Sequence, residues 1–297
     1  MVLNTSSDTL VSWVSVGGQT GTFNALAMLT EREAILVGDS NAAIYTDDGG
    51  KTWSDIAPDV GSGNLLDVAW NKSDTIIAVG AAGRVVYTND YGDNWVSAAS
   101  VDGFSGSING VAAYDSYAVA VGAGGKILSS INKGAIWASV TTAGGYSGTF
   151  YDVAMTTAGR CIAVGANGAI HTSADYGVNW SVRTPASAFN GTFHSITLTE
   201  SGYAIAVGTN GVIQTSSDYG STWSSRSSAG GYSNTFYSVA MLDTKAIAVG
   251  ANGEIQTSYN RGQTWVKRPA GSGSTAQFNA IAINEEPYAI IAGSSNA

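Results

Sequence analysis

Short apolar runs alternate with turn residues along the whole chain, and one unit shows the pattern most clearly. Residues 150–155 begin it as an inner strand, and residues 161–165 are apolar almost throughout, as a strand buried on both faces requires. The Asn-Gly dipeptide at residues 167–168 accepts the positive φ values of a tight hairpin. Residues 169–172 and 180–183 complete the unit, so the pattern predicts four short strands.

The unit repeats with a regular period. Tryptophans mark the same place in successive units at intervals of 42 or 43 residues. They are Trp53, Trp95, Trp137, Trp180, Trp223 and Trp265. This period is typical of β-propeller blades, each of which is a four-stranded antiparallel sheet. The 297 residues have room for about seven units. We therefore predict an all-β, seven-bladed β-propeller that occupies residues 1–297 as a single domain.

The two ends of the chain are predicted to share a blade. Residues 278–293 have the pattern of a first and a second strand, after which the chain stops. Residues 5–13 align with residues 172–180, which run from a third strand to its tryptophan. We expect residues 278–297 plus 1–15 to form blade seven. The ring would then close two strands against two and leave no exposed sheet edge.

The hairpin before each tryptophan carries recurring polar residues, seen as Ser-x-Asp-x-Gly-x-Thr-Trp at residues 216–223. The Asp carboxylate can accept hydrogen bonds from its own turn, Gly supplies a positive φ, and Trp fills the gap between sheets. Asn132 and Asn260 replace the Asp in two units, which a turn tolerates and a metal ligand usually does not. We predict a structural role, and no metal, for these residues. They are Asp48, Trp53, Asp90, Trp95, Trp137, Asp175, Trp180, Asp218, Trp223 and Trp265.

These hairpins resemble the Asp-box (BNR) repeats of sialidases, sortilin-type receptors and some glycoside hydrolases. The fuller pattern at residues 206–216, Ala-Val-Gly-Thr-Asn-Gly-Val-Ile-Gln-Thr-Ser, precedes the box that ends at Trp223. This pattern is most similar to the photosystem II assembly/stability factor family, whose relatives occur in bacteria and tailed phages. The resemblance covers the whole chain and implies a propeller fold. It implies little about function, because the motif carries scaffold and not chemistry.

Aromatic residues in the loops between blades form the first candidate binding site. The loops are otherwise rich in Gly and Ser, and exposed rings on such loops suit a sugar or a protein partner. The candidates are Tyr146, Tyr232, Phe104 and Phe189. The alternative interpretation is that each ring folds back between two blades.

The second residues of the inner strands form another candidate site, a polar ring at the mouth of the central channel. They are Asn24, Leu66, Asn109, Tyr151, His194, Tyr237 and Asn279. We select Tyr151, His194 and Tyr237 as candidate ligand-binding residues, and the alternative is that the ring lines a wet channel. No second His or Cys accompanies His194, so we predict neither a metal nor a cofactor.

Composition excludes several classes of partner. The net charge is −9 and no basic cluster is present, which argues against nucleic acid. No apolar run approaches the roughly 18 residues of a membrane span, so we predict no membrane insertion. The first residues lack a signal-peptide pattern, and we expect cytoplasmic synthesis or a place in a virion. The single cysteine, Cys161, excludes an internal disulfide.

Catalytic arrangements are not indicated, and we predict that the protein is not an enzyme. Arg183, Arg226 and Arg268 fall at equivalent places in three successive blades, so they diverge radially and cannot meet at one carboxylate. A glycoside hydrolase needs two carboxyls about 5–10 Å apart. Asp67 and Asp152 are the inner-strand candidates, and they lie two blades apart.

The predicted function is therefore binding or structural. Repeated loops favour multivalent contacts with a protein or glycan partner. One form of this prediction is a phage virion component, either a capsid decoration or a tail-associated adhesin. The alternatives are a carbohydrate-binding lectin, an assembly factor for a membrane complex, and an Asp-box glycoside hydrolase. The sequence leaves self-association and the identity of the partner open.

Overall fold

The computed structural model describes residues 2–4, 14–16, 21–270, 275–284 and 289–294. These residues form 28 β-strands joined by tight turns and 3-10 segments of three residues. The strands assemble into seven antiparallel sheets of four strands each. No helix in the described part of the chain is long and apolar enough to span a membrane.

Six of the sheets are blades made from consecutive strands, ordered from the central channel outwards. Blade 1 contains β3 (Phe23–Met28), β4 (Ala34–Gly38), β5 (Ala43–Thr46) and β6 (Ser54–Asp55). Blade 2 contains β7 (Leu65–Trp70), β8 (Ile76–Gly80), β9 (Val85–Thr88) and β10 (Val96–Ser97). Blade 3 contains β11 (Ile108–Tyr114), β12 (Tyr117–Gly122), β13 (Ile127–Ser130) and β14 (Ala138–Val140).

The next three blades repeat the same order. Blade 4 contains β15 (Phe150–Met155), β16 (Cys161–Gly165), β17 (Ile170–Ser173) and β18 (Ser181–Arg183). Blade 5 contains β19 (Phe193–Leu198), β20 (Ala204–Gly208), β21 (Ile213–Ser216) and β22 (Ser224–Arg226). Blade 6 contains β23 (Phe236–Leu242), β24 (Lys245–Gly250), β25 (Ile255–Ser258) and β26 (Val266–Arg268).

The remaining sheet, called the composite sheet, joins the two ends of the chain. Its strands are β27 (Phe278–Ile283), β28 (Ala289–Gly293), β1 (Val2–Asn4) and β2 (Val14–Val16). The pairing of β1 with β28 is antiparallel and places Leu3 opposite Ile291.

The predicted count of seven blades requires a correction. Six blades, and not seven, are complete among the described residues, from inner strand through Asp-box hairpin to outer strand. The composite sheet differs because its strands come from both ends of the chain, and no Asp-box hairpin joins β1 to β2 among the described residues. Residues 5–13, where the sequence predicts a further Asp-box and its tryptophan, lie outside the described residues.

The core consists of second strands that are each buried between neighbouring sheets. Every residue of β8 and β16 is buried, which explains why these strands are apolar throughout. Ile77 and Val79 of blade 2 pack with Val111 and Trp137 of blade 3 in one cluster, and similar clusters fill the other inter-blade spaces. Each large apolar side chain buried in this way stabilises the fold by roughly 1.5–3 kcal/mol.

Inner strands surround the central channel, and each has a register shift at its second residue. In β15, for example, Phe150 pairs with Gly165 and Asp152 pairs with Val164, so Tyr151 is the extra residue. The same irregularity occurs in the other six inner strands. A bulge re-aims a side chain. Each extra residue therefore lines the channel.

Two kinds of turn meet on one face of the propeller. The Gly168 N–H, in the turn between the second and third strands of blade 4, donates to the Gly191 carbonyl at 2.6 Å. Gly191 lies in the loop that leads into blade 5, and equivalent bonds occur at other blades. This surface is called the loop face. The Asp-box hairpins join the opposite ends of the third and fourth strands and form the box face.

Removal of residues 1–13 tests the composite sheet. The deletion takes away β1, which exposes the outer edge of β28 and separates β2 from the sheet. We expect a clear fall in melting temperature, measured by circular dichroism, and faster proteolysis of the remaining chain. An unchanged melting temperature would show that the pairing of the two ends does not support the fold.

Candidate functional site

A cavity of about 220 Å³ occupies the channel on the loop face. The extra residues of the inner strands line it, together with the residues that follow them. Among the described residues of this lining there is no Lys or Arg. The site is called the channel mouth. The seven side chains that recur at the second position of the inner strands all line this cavity.

Asparagines in the ring join neighbouring blades. The Nδ2 group of Asn24 donates to the Leu65 carbonyl at 2.9 Å, and that of Asn109 donates to the Phe150 carbonyl at 2.8 Å. Asn279 in the composite sheet donates to the Phe23 carbonyl at 2.9 Å, across the junction of the two chain ends. These side chains hold the inner strands in register, so part of the ring is structural.

Three aromatic residues form an arc along the opposite part of the ring. The ring centroids of Tyr151 and His194 are 5.2 Å apart, and those of His194 and Tyr237 are 5.5 Å apart. Burial lowers the pKa of His194, which keeps its imidazole neutral at pH 7. The arc therefore offers flat, uncharged surfaces to a ligand in the channel, and ligand binding by these residues stays a prediction.

Two carboxylates lie at the third position of their inner strands. Asp67 accepts a hydrogen bond from the Val111 N–H at 2.7 Å, and Asp152 accepts one from the Ile196 N–H at 2.9 Å. Burial raises the pKa of Asp152 to about 6. Burial and the nearby charge of Asp152 raise the pKa of Asp67 well above its usual range.

The sequence places Asp67 and Asp152 two blades apart, and it does not predict that they share one site. The structure brings them into one cavity because the channel is narrow and blade 3, between them, has Gly110 at the same position. A Cβ atom on Gly110 would lie only 2.8 Å from the Cα of Asp152. In the sequence, the glycine at the third position of β11 is the feature that could have indicated that Asp67 and Asp152 share a cavity.

The loop aromatics fold back against the blades. The hydroxyl of Tyr146, which has one proton to donate, lies 3.0 Å from each of the Thr149 and Ala166 carbonyl oxygens. Its ring lies 4.7 Å from that of Phe150, the first residue of the next inner strand. Tyr232 and Phe189 pack in the same way on Phe236 and Phe193. The ring of Phe104 lies beneath the ammonium group of Lys126 at 5.3 Å. All four rings are half-buried and lie between different blades, and ligand binding by them stays a prediction.

Asp-box side chains bind their own turns. Asp218 accepts hydrogen bonds from the Thr222 N–H at 2.9 Å and from the Thr222 hydroxyl at 2.7 Å. Burial opposes ionisation, but these bonds hold the pKa of Asp218 below its usual value. Asn260, at the same position in blade 6, accepts from the Thr264 N–H at 2.9 Å. The box carboxylates thus use their oxygens within the hairpin.

Box tryptophans pack against the preceding sheet. Trp180 lies in a cluster with Val119 and Val121 of blade 3, and its indole N–H donates to the Gly177 carbonyl at 2.8 Å. Gly177 has φ +81°, and a Cβ there would approach Val119 to 2.4 Å. Most other box tryptophans donate to their box glycine in the same way, whereas Trp95 donates to the Ile56 carbonyl.

The outer arginines do not form a common site. The Nε groups of Arg183, Arg226 and Arg268 each donate to a threonine of the same blade, at 2.8–2.9 Å. The described residues contain no group of three His, Cys, Asp or Glu that could hold a metal ion. Cys161 is buried, and burial raises the pKa of its thiol to about 12, so it stays protonated.

Comparisons with known proteins agree with this architecture. The BNR/Asp-box repeat model matches residues 44–55, which contain the first box hairpin. YCF48 from Cyanidioschyzon merolae has a similar structure, with a TM-score of 0.72, 16% identity, and coverage of 94% of this chain and 97% of that chain. The structure of YCF48 bound to D1 peptide gives a TM-score of 0.72, 18% identity, and coverage of 93% and 94%.

A glycoside hydrolase is also similar. The GH74 xyloglucanase from Xanthomonas campestris gives a TM-score of 0.72 at 16% identity, and the match covers 96% of this chain but 53% of that chain. The search of curated protein sequences gave no significant match. The chain thus contains an Asp-box repeat and has a β-propeller fold similar to that of YCF48, and at these identities the likenesses define the fold alone.

Substitution of Asp218 tests the role of the box carboxylate. We expect Asp218→Asn to be nearly neutral, because Asn260 makes the same backbone bond in blade 6. Asp218→Ala removes the acceptor and should lower the free energy of unfolding by about 1–2 kcal/mol. Urea denaturation of both variants measures the difference. Equal losses of unfolding free energy in the two variants would mean that the hydrogen-bond acceptor at this position does not contribute to stability.

The pH dependence of stability tests the buried carboxylates. The folded-state pKa of Asp152, about 6, exceeds its ordinary value of 3.8. The stabilisation from its proton is therefore complete below pH 3.8 and is lost as the pH rises through 6. Relative to the wild type, Asp152→Asn should gain about 1–2 kcal/mol in free energy of unfolding between pH 4 and pH 7. The exposed Asp93→Asn on the box face is the control, and a constant difference across this range would contradict the assignment.

Proposed function

We propose that the protein is a non-catalytic binding propeller that receives a basic segment of a protein partner at the channel mouth. The observation that supports this most directly is the pair Asp67 and Asp152 in a cavity whose described lining contains no Lys or Arg. An ammonium or guanidinium group of the partner would supply the missing positive charge.

Charge complementarity gives the proposed site its chemistry. Each carboxylate already accepts a backbone N–H, which fixes its orientation without neutralising its charge. A bound cation would favour the ionised carboxylates and lower their pKa values. Binding should therefore strengthen as the pH rises through about 6, where Asp152 loses its proton in the free protein. The arc of Tyr151, His194 and Tyr237 would contact the apolar stem of the bound side chain.

The size of the cavity favours a single side chain. Its volume of about 220 Å³ lies below the roughly 300–1,000 Å³ of pockets that enclose drug-sized ligands. One Lys or Arg side chain fits this space, whereas an oligosaccharide would have to remain outside it. The rest of the partner would lie across the loop face. A side chain of a protein partner therefore fits the cavity better than a glycan does.

The comparisons support a peptide as the kind of ligand. YCF48, with a similar fold, is known in a structure bound to D1 peptide. That likeness supports peptide binding by a propeller of this type. The proposal that the peptide is basic rests on Asp67 and Asp152 of this chain.

A hydrolase is less well supported. Asp67 and Asp152 share one cavity, but its volume of about 220 Å³ is below that of pockets that enclose drug-sized ligands. Each carboxylate is also engaged by a backbone N–H of the next inner strand. The likeness to the GH74 xyloglucanase extends over 53% of that enzyme. These observations favour a non-catalytic role.

The virion, lectin and membrane-complex roles stay predictions from the sequence. A virion component or an assembly factor would be a particular case of protein binding. A lectin differs in its ligand, and a glycan array with a strong hit that survives the loss of both channel carboxylates would favour it over the present proposal.

Binding of defined peptides tests the proposed function. The probe is a Gly-Ser peptide with one central Arg, labelled for fluorescence anisotropy, and the matched probe carries Glu instead. We expect the Arg probe to bind more tightly, and the double variant Asp67→Asn/Asp152→Asn to weaken it by roughly tenfold or more. Asp93→Asn removes one charge on the box face and should leave the affinity unchanged. Equal binding of both probes, or an unaffected double variant with a normal melting temperature, would reject the proposal.

A further inference from the structure

The aromatic arc at the channel mouth consists of Tyr151, His194 and Tyr237. They are the second residues of the inner strands β15, β19 and β23, in blades 4, 5 and 6. At the same position, the asparagines of blade 1, blade 3 and the composite sheet each donate to a carbonyl of a neighbouring inner strand, and blade 2 has a leucine. The three aromatic rings instead contact one another. Bonding between blades therefore does not require an aromatic residue at this position.

The three rings have a regular arrangement along the channel. The ring planes of Tyr151 and His194 are tilted by 57°, with centroids 5.2 Å apart, and those of His194 and Tyr237 are tilted by 55°, with centroids 5.5 Å apart. Flat stacking would make the planes parallel and would cover the ring faces. Each of the three side chains is half-buried and lines the cavity. The nearly equal tilts therefore make the arc a curved aromatic wall of the channel mouth.

Two carboxylates lie beside this wall in the same cavity. Asp152 directly follows Tyr151 in β15, and Asp67 lines the cavity from β7. Both oxygens of Asp152 accept backbone hydrogen bonds, Oδ1 from the Val153 N–H at 2.7 Å and Oδ2 from the Ile196 N–H at 2.9 Å. Asp67 Oδ2 likewise accepts a backbone N–H from the inner strand of blade 3. These bonds leave negative charge available and use part of the acceptor capacity that a hydrogen-bonding cation would need.

These contacts favour one kind of cation. A lysine ammonium has three N–H donors, and each donor needs an acceptor when the group leaves water. A trimethylammonium group carries the same charge without any N–H donor, and its methyl groups pack against aromatic faces. Burial lowers the pKa of His194, so its imidazole is neutral at pH 7 and does not repel a cation. A cavity that combines negative charge, an aromatic wall and partly used acceptors therefore suits the trimethylated group better.

We propose that the channel mouth recognises trimethyllysine in the basic segment of the partner, with the trimethylammonium group held against Tyr151, His194 and Tyr237. This proposal rests on the proposed function and names its ligand. The cationic group would lie within about 6 Å of the ring centroids, the range of a cation–π contact. Asp67 and Asp152 would balance its charge without a direct hydrogen bond. The lysine stem would lead out of the cavity to the rest of the partner on the loop face.

Matched peptides test the proposal. Gly-Ser peptides labelled for fluorescence anisotropy carry one central residue, which is lysine, trimethyllysine or the uncharged analogue of trimethyllysine in which carbon replaces the nitrogen. We expect trimethyllysine to bind roughly tenfold more tightly than lysine, and roughly tenfold more tightly than the uncharged analogue. Equal binding of trimethyllysine and its uncharged analogue would show that the contact is apolar and does not depend on the cation, and would overturn the proposal.

The same measurements separate this proposal from the proposed function. If lysine and arginine peptides bind through Asp67 and Asp152 and trimethylation gives no gain in affinity, the proposed function stands and the recognition of trimethyllysine is rejected. If none of the charged peptides binds, the proposed function fails, and this proposal fails with it. Free choline carries the same trimethylammonium group without a peptide. Binding of choline as tight as that of the trimethyllysine peptide would overturn the assignment to a protein side chain.

Substitutions in the arc test the part played by the rings. Tyr151→Leu and Tyr237→Leu each remove one ring and should weaken binding of the trimethyllysine peptide about fivefold, with a smaller loss for the lysine peptide. Tyr151→Phe and Tyr237→Phe keep the ring and should retain most of the affinity. Tyr91→Leu is the matched control, because Tyr91 lies in the box hairpin of blade 2 and is 46% exposed. Equal losses for the two peptides in leucine variants with normal melting temperatures would overturn the proposal.

Discussion

Packing of each second strand between two neighbouring sheets is the constraint on which the structure depends. A strand covered on both faces must be apolar at every position, and β4, β8 and β16 are buried throughout. The box tryptophan fills the outer part of the same space, and the box glycine allows the hairpin to approach it. At Gly177 a single added Cβ would collide with Val119 of the preceding blade. The hairpins are therefore repeated because the inter-blade space is repeated.

The candidate functional features lie where a blade departs from the repeat. At the third position of the inner strands, Asp67 and Asp152 introduce charge, whereas Ser195 and Ser238 accept the same kind of backbone N–H without charge. At the middle of the third strand, blades 1 to 3 have an apolar residue, whereas blades 4 to 6 have the polar side chains of His171, Gln214 and Gln256. Both departures lie towards the loop face, and both place polar side chains in the wall of a cavity.

The channel mouth has two carboxylates and, among the described residues of its lining, no Lys or Arg. Polar groups in partly buried places are costly when unpaired. A partner that supplies the missing group gains that pairing without having to reorganise the scaffold, because the surrounding strands are already fixed.

The sequence by itself determined the strand pattern, the 42- or 43-residue repeat, the Asp-box hairpins and the ring of residues at the channel mouth. These features are periodic, so one unit predicts the others. Tertiary structure alone decided that Asp67 and Asp152 share one cavity, that the loop aromatics fold back, and that the rings of Tyr151, His194 and Tyr237 contact one another. It also corrected the count to six complete blades, with a composite sheet beside them. The reason is that a repeat fixes the position of a side chain within its own blade, whereas distances between blades depend on the closure of the whole ring.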